Sequence, residues 1–167
     1  RKKGWVFMKP IDIYYENLAA ITKNNLEKRQ FECHYCKTAA EAVSLALDMV
    51  EPGSTVSFGG SMTLAESGMG KALAEREDIT LLDRSKASSP EEVAEIYHQA
   101  LSADYYFMSS NAITLEGELI NTDGTGNRVA ALIYGPKNVI LLAGMNKVAH
   151  TLEEGIMRVR NVASPIN

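Results

Sequence analysis

The sequence predicts an α/β fold, with helices flanking a mainly parallel sheet. Three observations carry that expectation. The apolar runs Thr55–Phe58, Ile79–Asp83, Tyr105–Met108 and Val139–Gly144 have the length and continuity of strands buried on both faces. Patterns with helical spacing separate them. Small or glycine-rich residues follow several of the runs, at the strand ends where open parallel sheets collect their ligands. A chain of 167 residues, 46% of them hydrophobic, is long enough for one domain with its own core. The net charge of −4 argues against a general nucleic-acid binder, which needs a concentrated basic face. No apolar run reaches the roughly 18 residues of a membrane span.

Taken in order, residues 1–10 read as an N-terminal extension and residues 11–167 as a single domain. Arg1-Lys2-Lys3 precedes only a short apolar patch, which is a poor secretory signal, so the expected location is cytoplasmic. Ile11 to Lys28 carries Ile13, Leu18, Ile21 and Leu26 among polar residues, the pattern of an amphipathic surface helix. With Val43, the Leu18 and Ile21 face suits either the core or a contact between copies of the chain. Phe31 to Cys36 alternates weakly and is expected to form a short strand. Thr38 with Glu41 makes a capping box, opening a helix that runs to Pro52-Gly53. After the strand Thr55–Phe58, a helix contains Leu64, Glu66, Met69 and Leu73. Asp83 and Arg84 close the strand that starts at Ile79, where they can touch a ligand or pair with each other. Pro90, Glu91 and Glu92 fit the first turn of a helix that reaches Leu101. Gly135-Pro136 ends a helix begun near Val129, and Met145-Asn146-Lys147-Val148 is expected to open the last helix.

Two stretches have the chemistry of a binding site. Gly59-Gly60-Ser61-Met62-Thr63 links a strand to a helix. Its glycines clear space while Ser61, Thr63 and the helix start offer donors to a phosphate or carboxylate; equally, the glycines make a tight turn and Ser61 caps the helix. The second stretch runs from Asp104 to Lys147. Its buried strand stops at Ser109-Ser110-Asn111, and Leu119-Ile120 returns toward the same place before Asn121-Thr122-Asp123-Gly124-Thr125-Gly126-Asn127-Arg128. Asn111, Asn121, Asp123, Thr125, Asn127 and Arg128 are polar groups beside backbone kept clear by Gly124 and Gly126. Asp123 can accept a proton or cap the next turn, and Arg128 can clamp a carboxylate or phosphate.

These residues resemble the LUD domain family of lactate-utilisation proteins. Ser110 to Thr114 matches one family box and Asn121 to Arg128 another, and order and spacing agree along most of Thr38 to Asn167. The resemblance implies the three-layer fold of the NagB/RpiA/CoA-transferase type. It also implies a place in organic-acid metabolism, L-lactate oxidation to pyruvate with iron–sulfur partner subunits. Many single-domain members continue past a segment like Asn161–Asn167 into a cysteine-rich tail, before which this chain stops. The same stretch looks like methylthioribose-phosphate isomerases and their initiation-factor relatives, but the isomerases' catalytic aspartate falls on Asn111. An amide cannot exchange a proton as a carboxyl does. CoA transferases of this superfamily use a glutamate nucleophile, for which Glu66 and Glu116 qualify by type alone.

The candidate catalytic groups are therefore Asp123 and Glu66, and the candidate ligand is a small anion or anionic cofactor. Two other classes remain open: a stand-alone sugar-phosphate or CoA-thioester enzyme, and a non-catalytic ligand-sensing subunit. Cys33 and Cys36 flank His34, a spacing that suits half a zinc site or a redox pair, but His98 and His150 stand alone and complete no ligand set. Reduced thiols are the expected state.

Overall fold

A computed structural model describes residues 9–166. Residues 1–8, most of the expected extension, lie outside the described residues. Four strands, β1 (Thr55–Phe58), β2 (Thr80–Leu82), β3 (Tyr105–Met108) and β6 (Asn138–Leu141), form a fully parallel sheet in the order β2-β1-β3-β6. Helices α2 (Ala39–Asp48), α3 (Met62–Ser67) and α4 (Met69–Ala74) cover one face. There Ala46, Val50, Leu64, Met69 and Leu73 pack on Val56 and Phe107. Helices α5 (Pro90–Ala100) and α6 (Asn127–Ile133) cover the other, where Ala100 and Ala131 meet Tyr106 and Met108. The three-layer α/β architecture follows from β3, whose four residues are all buried and whose side chains alternate between these two cores.

Local chemistry accounts for most boundaries. Helix α1 (Pro10–Lys28) starts on a proline that needs no N–H partner, and it buries Leu18, Ala19 and Leu26. Thr38 caps α2 by accepting Glu41 N–H, while Glu41 accepts Lys37 N–H. Ser89 caps α5 by accepting Glu92 N–H. The helix expected through Leu64 and Leu73 is instead two, broken at Gly68, whose φ of 80° is left-handed.

Two expectations fail. Residues 31–36 have no regular secondary structure and pair with no strand; the segment lies beside α1, where Lys23 Nζ donates to Cys33 O. The last helix does not open at Met145. Met145–Lys147 is a 3-10 turn, and Val148–Ala149 forms β7. This short strand pairs in parallel with β4 (Ala112–Thr114), which also forms an antiparallel hairpin with β5 (Leu119–Ile120). Helix α7 (Leu152–Arg158) begins only after Thr151 has capped it. Pairing with β4 thus outweighs the helical pattern at Val148. The second, three-stranded sheet continues from the carboxyl ends of β3 and β6, and so frames the edge where the conspicuous loops meet.

The hairpin turns on Gly117, at φ 82°, and a Cβ there would lie 3.2 Å from the α1 backbone at Asn25 and Leu26. Gly68 has a similar φ but open space around it. Gly68→Ala is expected to cost about 1–2 kcal/mol from φ alone, and Gly117→Ala more, because α1 must also move. Denaturant midpoints of the two variants, compared at equal m, check this ordering.

Candidate functional site

The site forms where the four parallel strands end. Gly59 to Ser61 leave β1, Asp83 and Arg84 leave β2, Ser109 and Ser110 leave β3, and residues 142–147 leave β6. The parallel order brings these carboxyl ends to one edge. Helix α6 and the loop before it approach that edge from one face, and α3 and α7 complete its surroundings.

Arg128 lies across the middle. It is 7% exposed and uses every N–H it has. Nε donates to Asp123 Oδ1 at 3.2 Å; Nη1 donates to Ser109 O and Asn121 Oδ1 at 3.0 and 2.6 Å; Nη2 donates to Asn111 Oδ1 and Thr122 O at 2.9 and 3.0 Å. Asp123 Oδ2 accepts Val129 N–H at 2.9 Å, so the chain's own carboxylate occupies part of the α6 start. Asn111, Asn121, Asp123 and Arg128 are thus brought together, and they bond mainly to one another. Gly59 makes room for this bundle: a Cβ there would sit 3.0 Å from Tyr106 Oη and 3.2 Å from Arg128 Cδ.

A cluster that the sequence did not single out lies beside it. Lys147, on the 3-10 turn after β6, donates from Nζ to Ser109 Oγ at 2.8 Å. Burial pushes its pKa down to about 8, the positive charges of Arg158 and Arg128 push the same way, and Glu66 opposes them. Arg158 donates from Nη1 to Asn111 O at 2.8 Å and from Nε to Asn146 O at 3.1 Å. Its Nη2 makes no hydrogen bond among the described residues. Burial lowers the Arg158 pKa as well. Among the described residues, neither Lys147 nor Arg158 has an ion-pair partner. Glu66, exposed on α3, is close enough to act on Lys147 through its charge.

Arg84 occupies the other end of the edge. It does not pair with Asp83, which instead accepts the N–H and Oγ–H of Ser85 and so caps the 3-10 turn Arg84–Lys86. The Arg84 guanidinium donates to Tyr97 Oη at 2.7 Å and lies against the space where a Gly60 side chain would be. With Ser57, Tyr106 and Asn127 it lines a cleft of about 10 Å³, room for about one water. Burial above all pushes the Tyr106 pKa up to about 12, so its hydroxyl stays a donor at neutral pH.

The remaining candidates take ordinary positions. Ser61 caps α3 through Leu64 N–H. Gly124, Thr125 and Gly126 are exposed on the loop before α6; only Gly126, at φ 87°, has a conformation that favours glycine. Glu116 is exposed in the β4–β5 turn, tied to α1 by Arg29 Nε donating to its carbonyl. Thr63 lines a groove of about 1270 Å³ between α1, α2 and β6, which also receives Cys33 and Cys36. Both thiols are free, and burial raises the pKa of Cys33. Among the described residues, no group of three or more His, Cys, Asp or Glu side chains is placed to hold a metal ion. Lys147 escaped the sequence reading because Met145–Val148 resembled a helix start. Its place shortly after the apolar run of β6 was the available signal.

Two stability tests follow. Arg128→Met leaves buried acceptors and Asp123 unpaired and is expected to cost about 3–5 kcal/mol; Arg128→Lys keeps the charge but not the fork, costing about 1–3 kcal/mol. Urea unfolding reads both. For Lys147 the folded pKa of about 8 lies below the ordinary 10.5. The charged form is therefore disfavoured by folding, in full below about pH 8 and not at all above about 10.5. Partial exposure screens the penalty, so Lys147→Met is expected to raise stability by only about 1 kcal/mol at pH 7, or about 3 °C in Tm. The difference should vanish by about pH 10.5, which Tm against pH measures for both proteins.

The comparisons with known proteins bear on the whole of this framework. No curated protein matches the chain. The LUD domain profile matches residues 19–167, which takes in both sheets, the Arg128 bundle and the Lys147 turn. With that match covering most of its length, the chain belongs to the LUD domain family.

Proposed function

We propose that this LUD domain binds a small organic acid at the carboxyl edge of its parallel sheet, in metabolism of the lactate-utilisation kind. The observation that carries the reading is the Lys147–Arg158 pair, two cations without carboxylate partners among the described residues, both disfavoured by burial. Holding such charges together is unfavourable in the free protein, and an arriving carboxylate relieves it. Arg158 Nη2 and Lys147 Nζ would donate to the acid. Arg128 supports this site from behind by fixing Ser109 and Asn111. Asp123, engaged by Arg128 and Val129 N–H, serves the same support.

The same reading includes oxidation of L-lactate to pyruvate, with iron–sulfur partner subunits taking the electrons. Co-purification from cell extract, with iron and sulfide analysis of what is retained, tests that part. A sugar-phosphate isomerase is less well supported. Asn111 stands where those enzymes have their aspartate, and its Oδ1 accepts from Arg128 and Thr122.

Titration calorimetry with lactate and pyruvate is the direct test. Lys147→Met is expected to weaken binding roughly 10- to 100-fold, the worth of one charge-assisted hydrogen bond. Since Lys147 loses its proton above about pH 8, affinity should fall as pH rises through that value. Binding near pH 8 should take up protons, because the anion stabilises the ammonium form, and buffers of different ionisation heat reveal that uptake. Heats that are absent for both acids would overturn the reading.

A further inference from the structure

We propose that Lys147 is a carbonyl-capturing amine, whose Nζ condenses reversibly with the ketone of a 2-oxo acid held by Arg158. The inference rests on the anion site described above and goes further, from holding an acid to forming a bond with it.

The placement of Lys147 supports this chemistry over a purely electrostatic role. A capturing amine needs access, a partly neutral population and a nearby charge to position the substrate. Lys147 is partly exposed, and the end of the large groove at Thr63, Ser67, Gly144 and Met145 lies beside its turn. Its only hydrogen bond from Nζ among the described residues goes to Ser109 Oγ, a group that can either accept from the ammonium or donate to the free amine. Burial and two arginines keep part of the amine neutral under mildly alkaline conditions. Arg158 Nη2 is unspent and can take the carboxylate next to the ketone.

The step balances without an oxidant. The Nζ lone pair forms a bond to the carbonyl carbon, and the oxygen takes the π electrons and a proton from solvent. Nζ then gives up a proton to solvent, which reaches this partly exposed side chain. The Nζ lone pair then expels the carbinolamine oxygen, which takes a second proton from solvent and leaves as water, and the product is a protonated imine. Acyl transfer through Ser109 is the competing use of this pair. Ser109 is 4% exposed, which leaves its hydroxyl little room for an incoming acyl group, whereas Lys147 is reachable.

The test is reductive trapping on the full chain with pyruvate and cyanoborohydride, followed by peptide mapping. A carboxyethyl adduct concentrated on Lys147, above the exposed Lys71 and Lys86, is the expected result. Lactate, which has no ketone, should give none. Lys147→Arg keeps the positive charge and is expected to retain a pyruvate-induced shift in Tm while losing the adduct at this position. No preference for Lys147 in the wild-type map, with the Tm shift intact, would overturn the capture and leave the anion site standing. Loss of both adduct and shift would overturn the two together.

Discussion

The structure around the candidate site depends on how one buried guanidinium is satisfied. Removing an arginine from water is unfavourable unless nearly all its donors find acceptors, and a planar fork fixes where those acceptors must be. Arg128 obtains them from the ends of two separate loops, Ser109 to Asn111 and Asn121 to Asp123. Neither loop has regular structure of its own at these positions. The arginine therefore acts as the cross-link that a ladder of backbone bonds would otherwise supply. Its path over β1 also explains Gly59, since any side chain there would press on Arg128 and on Tyr106 Oη.

The constraint passes outward through backbone atoms. Arg128 takes the carbonyl of Ser109, whose hydroxyl receives Lys147, and it takes the side chain of Asn111, whose carbonyl receives Arg158. Each residue in the first set thus uses one group for support and offers another to the second set. A shift of the Arg128 bundle would move both outer cations. This separates the polar groups into an inner group that bonds to itself and an outer pair without ion-pair partners among the described residues. Self-satisfied polar networks give rigidity, whereas uncompensated cations at a sheet edge attract ligands.

How much of this could be read in advance varies with the length scale of the signal. The four parallel strands were legible as apolar runs; Tyr105–Met108, buried at all four positions in the middle of the sheet, is the clearest of them, while β2 and β6 at the edges are only partly buried. Capping was legible at Thr38 and Ser89, where the interaction spans only three residues. Strands β4 and β7 were not, since they contain three and two residues and owe their form to each other across more than thirty positions. Residues 31–36 show the opposite error: weak alternation without an available partner does not make a strand. The convergence of Asn111, Asn121, Asp123 and Arg128 was visible in the motif spacing. The direction in which they point was not, because that depends on which acceptors the fold brings within reach of Arg128.

A conspicuous motif and a ligand-facing group need not be the same residues. Much of the box from Asn121 to Arg128 is accounted for by closing two irregular loops on one arginine, which uses the amide of Asn121, the carboxylate of Asp123 and the left-handed turn at Gly126. That demand is structural, and it would persist whatever the ligand. Lys147 and Arg158 face a looser geometric demand: each needs only to hold a charge near the edge while the backbone behind it stays fixed. Such residues leave little pattern in a sequence, yet here they carry the uncompensated charge. The tightly specified part of this edge is therefore the frame around Arg128, and through Ser109 and Asn111 that frame fixes where Lys147 and Arg158 stand.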